Sequence, residues 1–94
     1  MTSISQLDEA TCNDIIQRLK RIEGQARGVQ RMVEQGRDCE DIMHQIAAMR
    51  AASRALSIEL LEQFAIHCLR HTDDAPSMEK AVAQMVSAIE QLTR

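Results

Sequence analysis

The segment DCEDIMHQIAAMRAASRALSIELLEQFAIHCL, Asp38 to Leu69, decides the fold: it reads as one long helix with a cysteine near each end. Ile42, Ile46, Met49, Leu56 and Leu60 recur at three- and four-residue steps or their multiples, which predicts an amphipathic helix with one apolar stripe. Cys39 and Cys68 are 29 positions apart. At about 100° and about 1.5 Å per residue they share a helix face but stand about 43 Å apart along it. A disulfide needs Cα atoms within roughly 7 Å, so the two cannot join within one chain. Two copies of the helix packed antiparallel about a twofold axis would instead set Cys39 of each against Cys68 of the other. The midpoint of that pair lies between Ser53 and Arg54, where Ala47, Ala48, Ala51, Ala52 and Ala55 leave room for close helix approach.

Outward from this segment, the 94-residue chain has one Phe, no Trp and no Tyr, so aliphatic residues, alanine and six methionines must supply its interior. That is thin for a monomer, and an oligomer is expected. No apolar run approaches the roughly 18 residues of a membrane span, which predicts a cytoplasmic protein without membrane contact. Three cysteines, an odd number, point to thiols kept for redox chemistry or metal binding rather than a secreted disulfide framework.

The net charge of −3 is unevenly spread: residues 18–37 hold six basic and two acidic side chains, while the flanks are acidic. A first helix is expected to start near Asp8 to Thr11, with Cys12, Ile15, Ile16, Leu19, Ile22, Ala26, Val29 and Val33 as its buried stripe and residues 1–7 as a flexible tail. On a helical wheel Arg18, Lys20, Arg21, Arg27 and Arg31 fall on the other half, and Glu23 and Glu34 at the border of the stripe. A face of one sign suits an anionic partner such as a phosphate backbone, whereas a merely solvated face mixes signs.

Gly36 is placed to end this helix and Asp38 to cap the next, giving a short loop and antiparallel neighbours. Cys39 then lies in a first helical turn, where the positive end of the dipole and Arg37 favour negative charge and Glu40 and Asp41 oppose it. The long helix fades over His71 to Asp74, and Pro76 opens a third helix with Met78, Val82, Met85, Val86, Ile89 and Leu92 on its apolar side. The expected architecture is a single all-α domain over residues 1–94, with three helices, the first two a long hairpin and the third short.

The run RLKRIEGQARGVQRMVEQGRDCEDIMHQIAAMRAA, Arg18 to Ala52, resembles the signature region of the copper-sensitive operon repressor family, and the likeness extends from about Asp14 to the C-terminus. The resemblance implies antiparallel four-helix-bundle dimers, a disc-shaped homotetramer, and operator double-stranded DNA bound without a helix-turn-helix. It also implies DNA contacts by Arg18, Lys20, Arg21, Arg27, Arg31, Arg50 and Arg54.

Within the family, the metal and formaldehyde sensors carry a histidine 25 residues after the first site cysteine; here that cysteine is Cys39 and the later position is Phe64. The outer-shell aromatic and glutamate of the copper sensors fall at Asp38 and Gln84, and the N-terminal proline of the formaldehyde sensors is replaced by Thr2. Two cysteines, Cys39 and Cys68, without the central histidine resemble the persulfide-sensing branch, which implies a repressor of sulfur-detoxification genes with no resident cofactor. Copper(I) is the alternative inducer, with Cys39 and Cys68 as soft ligands and His71, one turn from Cys68, as a third. His67 points about 100° away from Cys68, and His44 lies off the line of Cys39. Cys12, within an apolar stripe, is expected to be inert. A thiol–disulfide oxidoreductase is disfavoured because no C-x-x-C motif is present, so the chain is expected not to be an enzyme.

Overall fold

The computed structural model describes residues 3–71 and 74–93. Helices α1 (Glu9–Glu34), α2 (Cys39–Arg70) and α3 (Ala75–Leu92) account for nearly all of them, and no strand occurs among the described residues. The protein is all-α.

Each helix end has a local cause. Asp8 Oδ1 accepts from the Thr11 N–H at 2.8 Å, which caps the start of α1. At its far end Gly36 adopts φ +67. Its N–H donates to the Val33 carbonyl and that of Arg37 to Met32, so the last carbonyls of α1 are satisfied by a Schellman turn. The chain reverses there, and α2 begins at Cys39 with the Ile42 N–H donating to the Asp38 carbonyl. Of the stretch in which α2 was expected to fade, Thr72 and Asp73 lie outside the described residues. Asp74 caps α3 through the Ser77 N–H at 2.8 Å, with Pro76 in the first turn, where a missing N–H costs nothing.

Two sequence expectations need correction. Residues 3–7 are not a loose tail: Ile4–Gln6 form a 3-10 turn closed by a capping box between Ser3 and Gln6, and the Cys12 thiol donates to the Ile4 carbonyl at 3.4 Å. The apolar side chains of α2 do not form one stripe. Ile42, Met49, Leu56 and Leu61 are half-buried, while Met43, Ile46, Ile58, Leu60, Ile66 and Leu69 are exposed, Met43 by 60%. A helix apolar around its circumference is one that neighbours cover on several sides.

The chain divides into two compact units, split within α1 and within α2. One comprises Asn13–Leu56, the two arms of the hairpin joined by the Gly36 turn. The other comprises Met1–Cys12 and Ser57–Arg94, which bring together the 3-10 turn, the second half of α2 and α3. Among the described residues only Ile15, Cys68 and Ala81 are buried, at 9%, 7% and 7% exposure. No helix is long and apolar enough, among the described residues, to cross a membrane.

Candidate sensing site and nucleic-acid interface

All seven basic residues assigned to DNA belong to the Asn13–Leu56 unit. Lys20, Arg21, Arg27 and Arg31 are exposed on α1, and Arg50 and Arg54 are exposed on α2. Arg18 differs: it is half-buried, and its Nε donates to Asp14 Oδ2 at 2.9 Å. Its position at the edge of the apolar stripe explains this, because only a long side chain can reach water from there. The α1 face is also not free of carboxylates. Glu23 Oε1 accepts from Arg27 Nη2 at 2.9 Å, crossing from the border where the wheel placed it. Both pairs are spaced four residues apart with the acid on the N-terminal side, the favourable order on a helix.

The three cysteines occupy three environments. None is in a disulfide; Cys39 is exposed, Cys12 half-buried and Cys68 buried. Cys39 is the first residue of α2, in a turn whose N–H groups have no intrahelical partner, and Arg37 two residues before it lies 3.8 Å from Asp41. Cys68 lies within the other unit, and its carbonyl accepts from the His71 N–H at 3.3 Å. An antiparallel pairing calls for a Cys68 face open to a partner, whereas a single chain covers this thiol.

Phe64, one turn before Cys68, lines an apolar cavity of about 460 Å³ together with Leu60, Leu61, Ile4, Leu7 and Leu92. This is why Ile4 and Leu7, which the sequence reading left in a tail, are ordered: they are part of the wall. The signal that could have revealed them is Ser3 followed three residues later by Gln6, the capping-box pattern.

His67 and His71 stack with ring centroids 4.3 Å apart. His71 Nδ1 is 2.8 Å from the His67 carbonyl, which can only accept, so Nδ1 is the donor of this bond. Among the described residues of one chain, no three His, Cys, Asp or Glu side chains converge as a metal site. The alternative ligands Cys39, Cys68 and His71 therefore do not form a centre within a single chain. Asp8, at the head of α1, has its carboxyl held below the usual carboxylate range by bonds from Thr11, aided by the Arg70 charge.

The chain is thus all-α, with a helical hairpin, a basic first helix and a cysteine near each end of a long second helix. The profile of the metal-sensitive transcriptional repressors matches residues 11–92, and the chain belongs to that family. It is 40% identical over 82 residues to the copper-sensing transcriptional repressor CsoR of Bacillus subtilis, covering 87% of this chain and 81% of that one. It is 35% identical over 79 residues to the copper-sensing transcriptional repressor RicR of Mycobacterium tuberculosis, covering 82% of each chain. The crystal structure of CsoR with Cu(I) from Geobacillus thermodenitrificans superposes with a TM-score of 0.83 at 39% identity, covering 100% of this chain and 95% of that one. These relatives are repressors, not enzymes.

Proposed function

We propose that this chain is an operator-binding repressor that senses sulfane sulfur through Cys39 of one subunit and Cys68 of another. The observation that carries the inducer chemistry is Phe64. The position where the family's metal sensors place a ligating histidine is here a hydrocarbon ring in the wall of an apolar cavity. The homotetramer expected from the resemblance is supported by the burial pattern: with three of the described residues buried and large apolar side chains exposed on every helix, the chain completes its interior against other copies.

The mechanism follows from exposure and bond accounting. Cys39, the exposed thiol, attacks as thiolate the terminal sulfur of a small persulfide R–S–SH. The R–S to S bond breaks, R–S⁻ leaves, and Cys39 becomes a persulfide. Attack by the thiolate of the partner chain's cysteine at position 68 on the inner sulfur expels hydrosulfide and leaves a disulfide. If that second cysteine is itself persulfidated, the link is a trisulfide, and each further sulfane sulfur transferred adds one atom. Because Cys68 is covered in its own unit, forming the bond requires the end of α2 to shift. In a packed assembly such a shift moves the helices that present the basic faces, and DNA is released.

A second reading is supported by the copper-sensing relatives: copper(I) held between chains by Cys39 and Cys68, with His71, one turn from Cys68, beside them. One experiment separates the two. The reduced protein on a fluorescent duplex of its own promoter is treated with an alkyl persulfide and, in parallel, with copper(I), then analysed by non-reducing electrophoresis and intact mass. Persulfide should release the DNA and yield covalent dimers joined from Cys39 to Cys68 as a disulfide, trisulfide or longer link, absent in Cys68→Ser. Release by copper(I) alone would replace the sulfur reading with the metal one.

A further inference from the structure

The cations of α1 fall into two groups. Lys20, Arg21 and Arg31 are exposed and make no ion pair among the described residues, whereas Arg18 and Arg27 are each bonded at 2.9 Å to an acid one turn earlier. The groups differ in what they can give to DNA. A phosphate contact releases a condensed counterion only if the cation arrives without an anion of its own. An arginine that must first leave a carboxylate, or that keeps it and sets that negative charge against the backbone, gains less. The Asp14–Arg18 pair is the more resistant of the two, since its arginine side chain is only 36% exposed and is screened less by salt than the open Glu23–Arg27 pair.

Resting on the reading of α1 as the DNA face, we propose that Asp14 and Glu23 set the operator affinity by competing with phosphates for Arg18 and Arg27. The working face of each α1 then carries three available cations, Lys20, Arg21 and Arg31, rather than five. Since phosphate contacts carry no sequence information, the two acids restrain binding to any duplex. Their chemistry suits a repressor that must let go: a cation already paired gives up the phosphate without being left bare.

The test is the salt dependence of binding, by fluorescence anisotropy on a promoter duplex and a random duplex over a range of KCl concentrations. Asp14→Asn and Glu23→Gln should each tighten binding, by about two- to fivefold for every chain on the DNA, the range set by exposed ion pairs. The slope of log affinity against log salt should steepen by about 0.9 for each arginine newly on a phosphate. Random and promoter duplexes should gain alike. Glu90→Gln on α3 changes net charge equally without touching these pairs and should leave the slope alone. Adding Arg18→Ala to Asp14→Asn should erase the gain, while circular dichroism reports an unchanged fold. Unchanged affinity and slope in both acid variants, weaker binding in either, or an equal gain from Glu90→Gln would overturn the proposal and leave the DNA face standing. Wild-type protein that ignores both duplexes at low salt would overturn that reading as well.

Discussion

The two compact units of this chain divide charge from sulfur and apolar volume. The Asn13–Leu56 unit carries every cation assigned to DNA and, among the described residues, three i,i+4 ion pairs, at Asp14–Arg18, Glu23–Arg27 and Arg37–Asp41. The Met1–Cys12 and Ser57–Arg94 unit carries two of the three cysteines, the stacked histidines and the Phe64 cavity. Cys39 is the exception, a thiol in the charged unit. The proposed cross-link thus ties the charged unit of one chain to the apolar unit of another, and chemistry at one end of α2 is delivered to the unit that holds the basic residues.

The sharpest way to break this division is to remove charge. Arg21→Ala with Arg31→Ala should weaken promoter binding by at least about a hundredfold, taking each charge-assisted phosphate bond at the low end of its range, about 1.5 kcal/mol. The salt slope should fall by about 0.9 for each phosphate that is no longer neutralised. Arg18→Ala, whose side chain is already paired, should cost less than Arg21→Ala. Alkylation of Cys68, which lies in the other unit, should proceed at the wild-type rate in all three; a changed rate would mean that the units are not separate in function.

Phe64→Ala probes the other side. Emptying half-buried aromatic volume beside an existing cavity should destabilise by about 2 kcal/mol, seen as a lower urea midpoint, with salt-dependent DNA binding retained in the folded fraction. Smaller again is Gly36→Ala: a Cβ meets nothing within 4 Å, but φ +67 is strained for an L residue, so about 1 kcal/mol is expected from backbone alone.

Acid pH gives the smallest effect. The carboxyls of Asp8 and Asp74 are held below their ordinary value by bonds from Thr11 and from Ser77. Their caps contribute fully above about pH 4, the unfolded carboxylate range, and are lost as pH falls through the lower folded values. The melting midpoint should therefore decline as pH falls below about 4, and less steeply in Asp8→Asn with Asp74→Asn, where an amide oxygen still caps each helix without titrating.

What was legible in the sequence follows from how local each signal is. Gly36, Pro76 and the Asp8 to Thr11 start mark helix ends through backbone chemistry acting within a turn, and the structure places those ends there. The circumference of α2 was not legible. Periodicity finds one stripe by selecting matching positions, and Ile58, Ile66 and Leu69 lie off the stripe of Ile42, Ile46, Met49, Leu56 and Leu60. The ion pairs were missed for a related reason: a wheel plots Cα directions, whereas Glu23 and Arg27 meet through long side chains. The pairing of Cys39 with Cys68 depends on a second chain, so its basis remains the family resemblance and helix geometry.

The scarcity of buried residues reaches beyond architecture. A chain with only Ile15, Cys68 and Ala81 inside it, among the described residues, has little fold to keep when alone, so its stability becomes a matter of mass action. Its melting temperature should climb with protein concentration, and dilution should unfold it. In a cell the same linkage would make newly made subunits short-lived until they meet partners. The amount of working repressor would then rise more steeply than its synthesis, as a threshold rather than a proportion.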